Sequence, residues 1–200
     1  DLPALGTSLE DCTWEQISAI SAEGLGENYF AVGDTKSVYL KGTVGTLELD
    51  TTLYVYILGF NHNSEIEGNG ITFGTFKTAS DGGIDVALID ANYNSGKPDG
   101  TKTFSVQHWG NNNYGGWAGC DMRYDILGST DVQPSGYGAN AASGRTGNNP
   151  SATCTSNPVD NTLMAALPAD LRAVLKPITK YTDNVAGGSG SVEANVTATI

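Results

Sequence analysis

The sequence is poor in the residues that most often hold metal ions or act as nucleophiles. It has two histidines and three cysteines in 200 residues, and no two cysteines have the C-x-x-C spacing. Because structural zinc sites draw on four such ligands at close spacing, the sequence argues against one. It permits one disulfide plus a free thiol among Cys12, Cys120 and Cys154, and it does not fix the pairing.

Basic residues are also scarce. Ten Lys and Arg stand against 22 Asp and Glu, which gives a formal net charge of -12. A surface of this charge repels a phosphate backbone. We therefore expect no nucleic-acid partner, and solubility is the simplest explanation of the acidic excess.

Long apolar runs are missing as well. The longest, "LYVYILGF" at 53–60, is far shorter than the roughly 20 residues of a membrane helix and is typical of a strand. We expect no membrane span. No segment resembling a signal peptide precedes Asp1, which is typical of a processed or trimmed chain.

Glycine, by contrast, is abundant. With 26 glycines and only 16% charged residues, the composition favours a loop-rich β or α+β domain over a helical bundle. The length suits one domain over residues 1–200. Residues 92–158 are mostly Gly, Asn, Ser and Thr, which indicates functional loops or a disordered insert, and we place a loop-rich insert at 124–160.

Two helices are predicted. Thr13 and Gln16 form a capping box in front of the first, and Gly24 would end it. The second begins near Pro168, a residue suited to a first helical turn, and stops at Pro177. Their apolar stripes are Trp14, Ile17 and Ile20 in the first helix and Leu171, Val174 and Leu175 in the second.

Short β-rich runs separated by Gly, Asn and Asp predict antiparallel strands. We expect the two helices to cover the sheet face that carries Leu53, Val55 and Ile57. The last run alternates apolar and polar residues up to Ile200, so we expect a half-buried strand whose partner or continuation lies beyond this chain. The runs are "SVYLKG", "TLYVYILGF", "GITFGTFKT", "GIDVALID", "PITKYTDN" and "SVEANVTATI".

One loop has the spacing of a weak cation site. Asp90, Asn92 and Asn94 fall at alternate positions and could turn oxygens toward one hard cation such as Ca²⁺. The loop departs from an EF-hand, since Ser95 stands at the turn glycine and Thr101 at the bidentate glutamate. A polar loop with Asx turns explains the same residues.

Two pairs of residues could in principle support catalysis. Glu65 and Glu67 alternate along the chain and could share a face, and Cys120 lies twelve residues after His108. A solvated loop and a buried, inert thiol are the better explanations of these residues. The sequence also lacks a nucleophile elbow, a P-loop and a dinucleotide fingerprint. We therefore expect a protein that is not an enzyme.

The stretch "HWGNNNYGGWAGCDMR" at 108–123 combines amides, aromatics and glycines. Trp117 offers a large anchor and Arg123 a planar hydrogen-bonding fork, which predicts structural roles for both. The preceding amides and aromatics supply adaptable hydrogen bonds and flat contact area, as recognition loops do. The predicted ligand-binding residues are His108, Trp109, Asn111, Asn112, Asn113 and Tyr114.

Four stretches carry a family resemblance: "FAVGDTKSVYLKGTVG", "YILGFNHNS", "GGWAGCDMR" and "LMAALPADLRAVLKPITKYTDN". Over nearly the whole chain they resemble an uncharacterised domain family common in gut Firmicutes and their phages. That family is similar in its end motifs to the C-type-lectin and sulfatase-modifying-factor folds. The resemblance implies an α+β fold with two helices on small antiparallel sheets and long display loops. Cys120 stands where the family commonly has serine, and no catalytic residue carries over.

These features favour a non-enzymatic recognition or display domain of a phage virion or bacterial surface protein, located outside the cell. Its expected partners are a host glycan or protein receptor and other copies of itself or of virion or surface proteins. Two alternatives stay open. One is a structural subunit of a virion or extracellular filament, and the other is an enzyme of the sulfatase-modifying or glycosidase type.

Overall fold

The structure, a computed structural model, describes residues 1–45, 47–62, 64–86, 88, 126–128, 155–183 and 192–197. These residues form an α+β fold, as the sequence predicts. The helices are α1 (Trp14–Ala22), α2 (Gly26–Tyr29), α3 (Ser64–Glu67), α4 (Leu163–Ala166) and α5 (Ala169–Val174). The strands are β1 (Thr35–Val44), β2 (Leu47–Phe60), β3 (Ile71–Lys77), β4 (Ile178–Asp183) and β5 (Val192–Thr197).

Internal contacts divide the chain into two compact units. Unit 1 comprises Asp1–Leu40, Asp50–Ala87 and Leu167–Val174, and the remaining described residues belong to unit 2. The strands β1 and β2 therefore contribute to both units. A single domain with a loop-rich insert stays a prediction.

Helix α1 begins and ends as the sequence predicts. The Thr13 hydroxyl accepts the Gln16 backbone N–H at 3.1 Å, and the Gln16 side chain accepts the Thr13 N–H at 2.9 Å. At the other end Gly24 has a φ of 71°, a left-handed conformation that glycine adopts without steric cost. The Leu25 N–H then bonds to the Ile20 carbonyl at 3.0 Å, which completes a Schellman-type cap.

The strands β1, β2 and β3 form one antiparallel sheet with β2 in the middle. Alternation along β2 buries Leu53, Val55 and Ile57 on one face, as predicted. The expected strand at 83–90 is wrong for its described residues. Among them Asp85 forms a single bridge to Lys77 of β3, flanked by bonds from the Thr78 N–H to the Ile84 carbonyl and from the Val86 N–H to the Phe76 carbonyl.

Helix α1 packs on the buried face of the sheet. The Trp14 ring of α1 meets the Phe73 ring of β3 edge-on, with centroids 5.7 Å apart, and α1 also contacts α5. Burying Ile17 and Leu171, 3% and 7% exposed, contributes about 1.5 to 3 kcal/mol each. Leu175 lies beyond the end of α5 and is only half-buried.

The described part of unit 2 has two pieces. The tip of the β1–β2 hairpin lies against α4, where the Gly45 N–H bonds to the Asn161 carbonyl at 3.3 Å and Gly42 approaches Ala166. The second piece is the antiparallel ribbon of β4 and β5, with Ile178 opposite Thr197. The predicted terminal strand is thus confirmed for residues 192–197, while a complement from another chain stays a prediction.

Among the described residues, no helix is both long and apolar enough to cross a bilayer.

Candidate functional site

The residues predicted to bind ligand lie outside the described part of the chain. This holds for His108, Trp109, Asn111, Asn112, Asn113 and Tyr114, and equally for the structural pair Trp117 and Arg123. It also holds for Asp90, Asn92 and Asn94 of the weak cation site and for Cys120. These assignments stay predictions. We call the described helices and strands the frame of the protein.

A buried lysine organises the frame. Lys36 of β1 is 8% exposed, and its Nζ donates to the backbone carbonyls of Glu10 at 2.9 Å and Cys12 at 2.7 Å. The same Nζ lies 5.5 Å from the centroid of the Trp14 ring. Carbonyl oxygens and an aromatic face together offset the loss of water around a buried amine.

The carboxylate of Glu10 adds a second pair of hydrogen bonds to β1. It accepts the backbone N–H of Ser37 at 2.6 Å and also the Ser37 hydroxyl. We call the set of Glu10, Cys12, Lys36 and Ser37 the N-terminal clasp. It fixes the segment before α1 along β1, which is an edge strand of the sheet, and an occupied edge is less open to pairing with other chains.

The clasp was missed by sequence reasoning, although a signal for it exists. Lys36, Val38 and Leu40 are alternate residues of β1, and all three are buried. Period two places alternate side chains of a strand on one face. A lysine in phase with two buried aliphatic residues therefore indicates a buried amine that needs acceptors.

The thiol of Cys12, 1% exposed, is an inert part of the clasp. Burial raises the pKa of this thiol, the neighbouring Lys36 partly offsets the rise, and Asp11 adds to it. A nucleophilic cysteine needs the reverse, because the thiolate is the reactive form. The geometry therefore gives Cys12 a packing role.

We expect Cys12 to resist a thiol reagent in the native protein and to react once the protein is unfolded. The test is a time course of reagent uptake in the variant Cys120→Ser/Cys154→Ser, with and without urea. Because the pKa of the Cys12 thiol is higher in the folded protein than in the unfolded chain, where it is about 8.5, the protonated thiol stabilises the fold. This contribution is fully present below the unfolded pKa and is lost as pH rises through the folded pKa. The alkaline loss of stability should be smaller in Cys12→Ala. Prompt labelling of Cys12 in the native protein would contradict the assignment.

The two candidate carboxylates of Glu65 and Glu67 do not share a face. They lie in the four-residue helix α3, with Glu65 exposed and Glu67 half-buried. Residues two apart on a helix point to nearly opposite sides. Glu65 and Glu67 could share a face only on a strand, and the structure has a helix here.

Polar side chains hold the connection between β2 and β3. Asn61 caps it, since its backbone N–H bonds to the Gly70 carbonyl and its side chain accepts the Gly70 N–H at 2.9 Å. Asn69 donates to the Ala22 carbonyl of α1 at 3.1 Å, and the exposed His62 pairs with Thr72 at 3.1 Å. In the part of the chain that the structure describes, no group of three His, Cys, Asp or Glu residues could hold a metal ion.

The outer face of the three-stranded sheet carries tyrosines, a second feature that sequence reasoning missed. Tyr39 on β1 is 49% exposed, and Tyr54 and Tyr56 on β2 alternate with buried residues and are half-buried. Tyr54 stands opposite Lys77 in the register of β2 and β3. The alternation of tyrosine with valine and leucine in "LYVYIL" is the signal for such a face.

No family model, curated protein or solved structure matches this chain.

Proposed function

We propose that this protein is a non-enzymatic recognition or display domain that binds a glycan or protein ligand through loops. The observation that carries the proposal is the concentration of amides and aromatics at 108–114. Side chains of these types form adaptable hydrogen bonds and flat contacts at low cost in conformational entropy. Presentation on a phage virion or a bacterial surface, outside the cell, accords with the family resemblance and belongs to the proposal.

The described frame supports this proposal through its tethers. Four hydrogen bonds of the N-terminal clasp join residues 24 to 27 positions apart in the chain. The two bonds from the buried Lys36 amine and the two to the Glu10 carboxylate fix the N-terminal segment on β1 within unit 1. Binding residues on loops depend on a rigid protein for their placement, and a unit tethered in this way is suited to such a protein.

We extend the proposal to the fold. Two helices on small antiparallel sheets with long intervening loops is the arrangement that a C-type-lectin-like domain would have. The described α+β elements are compatible with it, and the loop-rich segment at 124–160 would supply further display surface. In this proposal Trp117 and Arg123 have structural roles, and Cys120 is an unreactive thiol.

The test separates binding from folding. The variant Asn111→Ala/Asn112→Ala/Asn113→Ala should bind a panel of immobilised glycans and bacterial cells about tenfold or more weakly than the wild type. Its melting temperature should not change. Trp117→Ala should instead destabilise the protein by about 3 to 5 kcal/mol if this residue is a buried anchor. Turnover of glycans on the panel would overturn the proposal in favour of an enzyme, and self-assembly without ligand binding would favour a structural subunit.

A further inference from the structure

We propose that the outer face of the three-stranded sheet is a second binding surface, specific for a neutral oligosaccharide. It consists of Tyr39, Tyr54 and Tyr56 with the charged residues Asp50, Lys77 and Asp85, and we call it the tyrosine face. All six residues belong to unit 1. The proposal is independent of the loop at 108–114.

Contacts within the protein hold the rings of Tyr39 and Tyr56 in place. The Tyr39 hydroxyl donates to the Asp50 carboxylate. The Tyr56 hydroxyl lies 3.5 Å from Asp85 Oδ1, and the Lys77 Nζ lies 4.5 Å from the centroid of the Tyr56 ring. A ligand that binds to rings already fixed has less conformational entropy to remove.

A glycine makes room for the central ring. Tyr56 pairs with Gly74 in the register of β2 and β3, and a side-chain carbon at Gly74 would overlap the Tyr56 ring. The ring therefore lies on the backbone of β3. Because Gly74 has no side chain, the face is flatter at this point of the sheet. Because strands lie about 4.8 Å apart, three of them give a strip about 10 Å wide.

The chemistry of the face selects the ligand. Tyrosine rings offer flat apolar contact, carboxylates lie at the hydroxyl groups of Tyr39 and Tyr56, and the Lys77 amine lies over the Tyr56 ring. A pyranose ring has the complementary arrangement, with apolar C–H groups on its faces and hydroxyl groups around its rim. A protein surface packed here would instead have to remove water from Asp50, Lys77 and Asp85, at the cost that buried charges carry.

Charge decides between neutral and acidic sugars. The six residues of the face include two carboxylates and one amine, the exposed Lys41 stands two residues along β1 from Tyr39, and the whole chain carries a net charge of -12. This net charge would repel a polyanion at long range. Neutral hydroxyl groups can donate to Asp50 and Asp85 and accept from Lys77. Tyr39 is the ring we expect to stack on the sugar, since it is the most exposed of the three tyrosines.

Affinity electrophoresis tests the proposal in native gels that contain a neutral β-glucan, a galactomannan, a xylan or heparin. The wild type should be retarded by at least one neutral polymer and not by heparin. Tyr39→Ala should lose this retardation by about tenfold or more, whereas Tyr39→Phe, which keeps the ring, should retain most of it. The matched control is Ile66→Ala, an exposed side chain away from the sheet, and it should behave as the wild type.

The loop variant Asn111→Ala/Asn112→Ala/Asn113→Ala separates this inference from the proposed function, because it should retain retardation through the tyrosine face. Circular dichroism of each variant verifies folding. Three results would each overturn the inference: no retardation by any neutral polymer, equal retardation of the wild type and Tyr39→Ala, or a sedimentation result in which the face joins two copies of the chain.

Discussion

Replacing Trp14 by alanine is expected to lower the free energy of unfolding by about 3 to 5 kcal/mol. The Trp14 side chain is 6% exposed, contacts Phe73 edge-on and lies beneath the amine of Lys36. Its removal leaves a cavity between α1 and the sheet and takes away one of the partners of a buried amine. Urea denaturation of the wild type and the variant measures the difference.

Two further variants bracket this result. Trp14→Phe keeps an aromatic ring and should lose less stability than the alanine variant. Val32→Ala truncates a side chain that is 65% exposed, so its effect should lie within about 0.5 kcal/mol. Equal losses for Trp14→Ala and Val32→Ala would contradict the packing of α1 on the sheet.

The second large effect is expected for Lys36→Met, with a loss of about 2 to 4 kcal/mol in the free energy of unfolding. Methionine approximates the length and apolar stem of lysine, so the contact with Trp14 is largely kept. The carbonyls of Glu10 and Cys12 lose their donor, and a buried carbonyl without a partner is costly. Glu10→Ala should cost less, because its bonds to Ser37 are exposed to water.

Lys41→Met is the matched control, since Lys41 belongs to the same strand and is exposed. Its effect should stay below about 1 kcal/mol, the usual range for exposed charged pairs. Hydrogen exchange adds a second readout. Amides of residues 8–12 should exchange faster in Lys36→Met than in the wild type, and unchanged protection there would show that the clasp does not hold the N-terminal segment.

Local rules were sufficient where the interactions are local. The capping box of Thr13 and Gln16 and the end at Gly24 depend on residues within a few positions of each other, and the structure confirms both. The runs that form β1 to β5 were confirmed for the same reason, since alternation is visible in any short window. The exact end of α5 was not predicted. Pro177 was expected to stop this helix, but the helix ends at Val174.

Features that depend on distant residues were not predicted. The acceptors of Lys36 lie 24 and 26 positions away in the chain, and no local pattern identifies them. The run at 83–90 has the composition of a strand, yet its described residues form a single bridge to β3, and composition alone does not set how far two segments pair. The fit of Tyr56 on Gly74 likewise follows only from the register of two strands.

We propose above all that the loop at 108–114 binds the ligand while the clasp and α1 stay unchanged. Hydrogen exchange of the whole chain, with and without a glycan identified on the panel, tests this claim most directly. The account predicts added protection at 108–114 on binding, with the clasp and α1 equally protected in both states. No ligand on the panel, or added protection confined to residues outside 108–114, would contradict it.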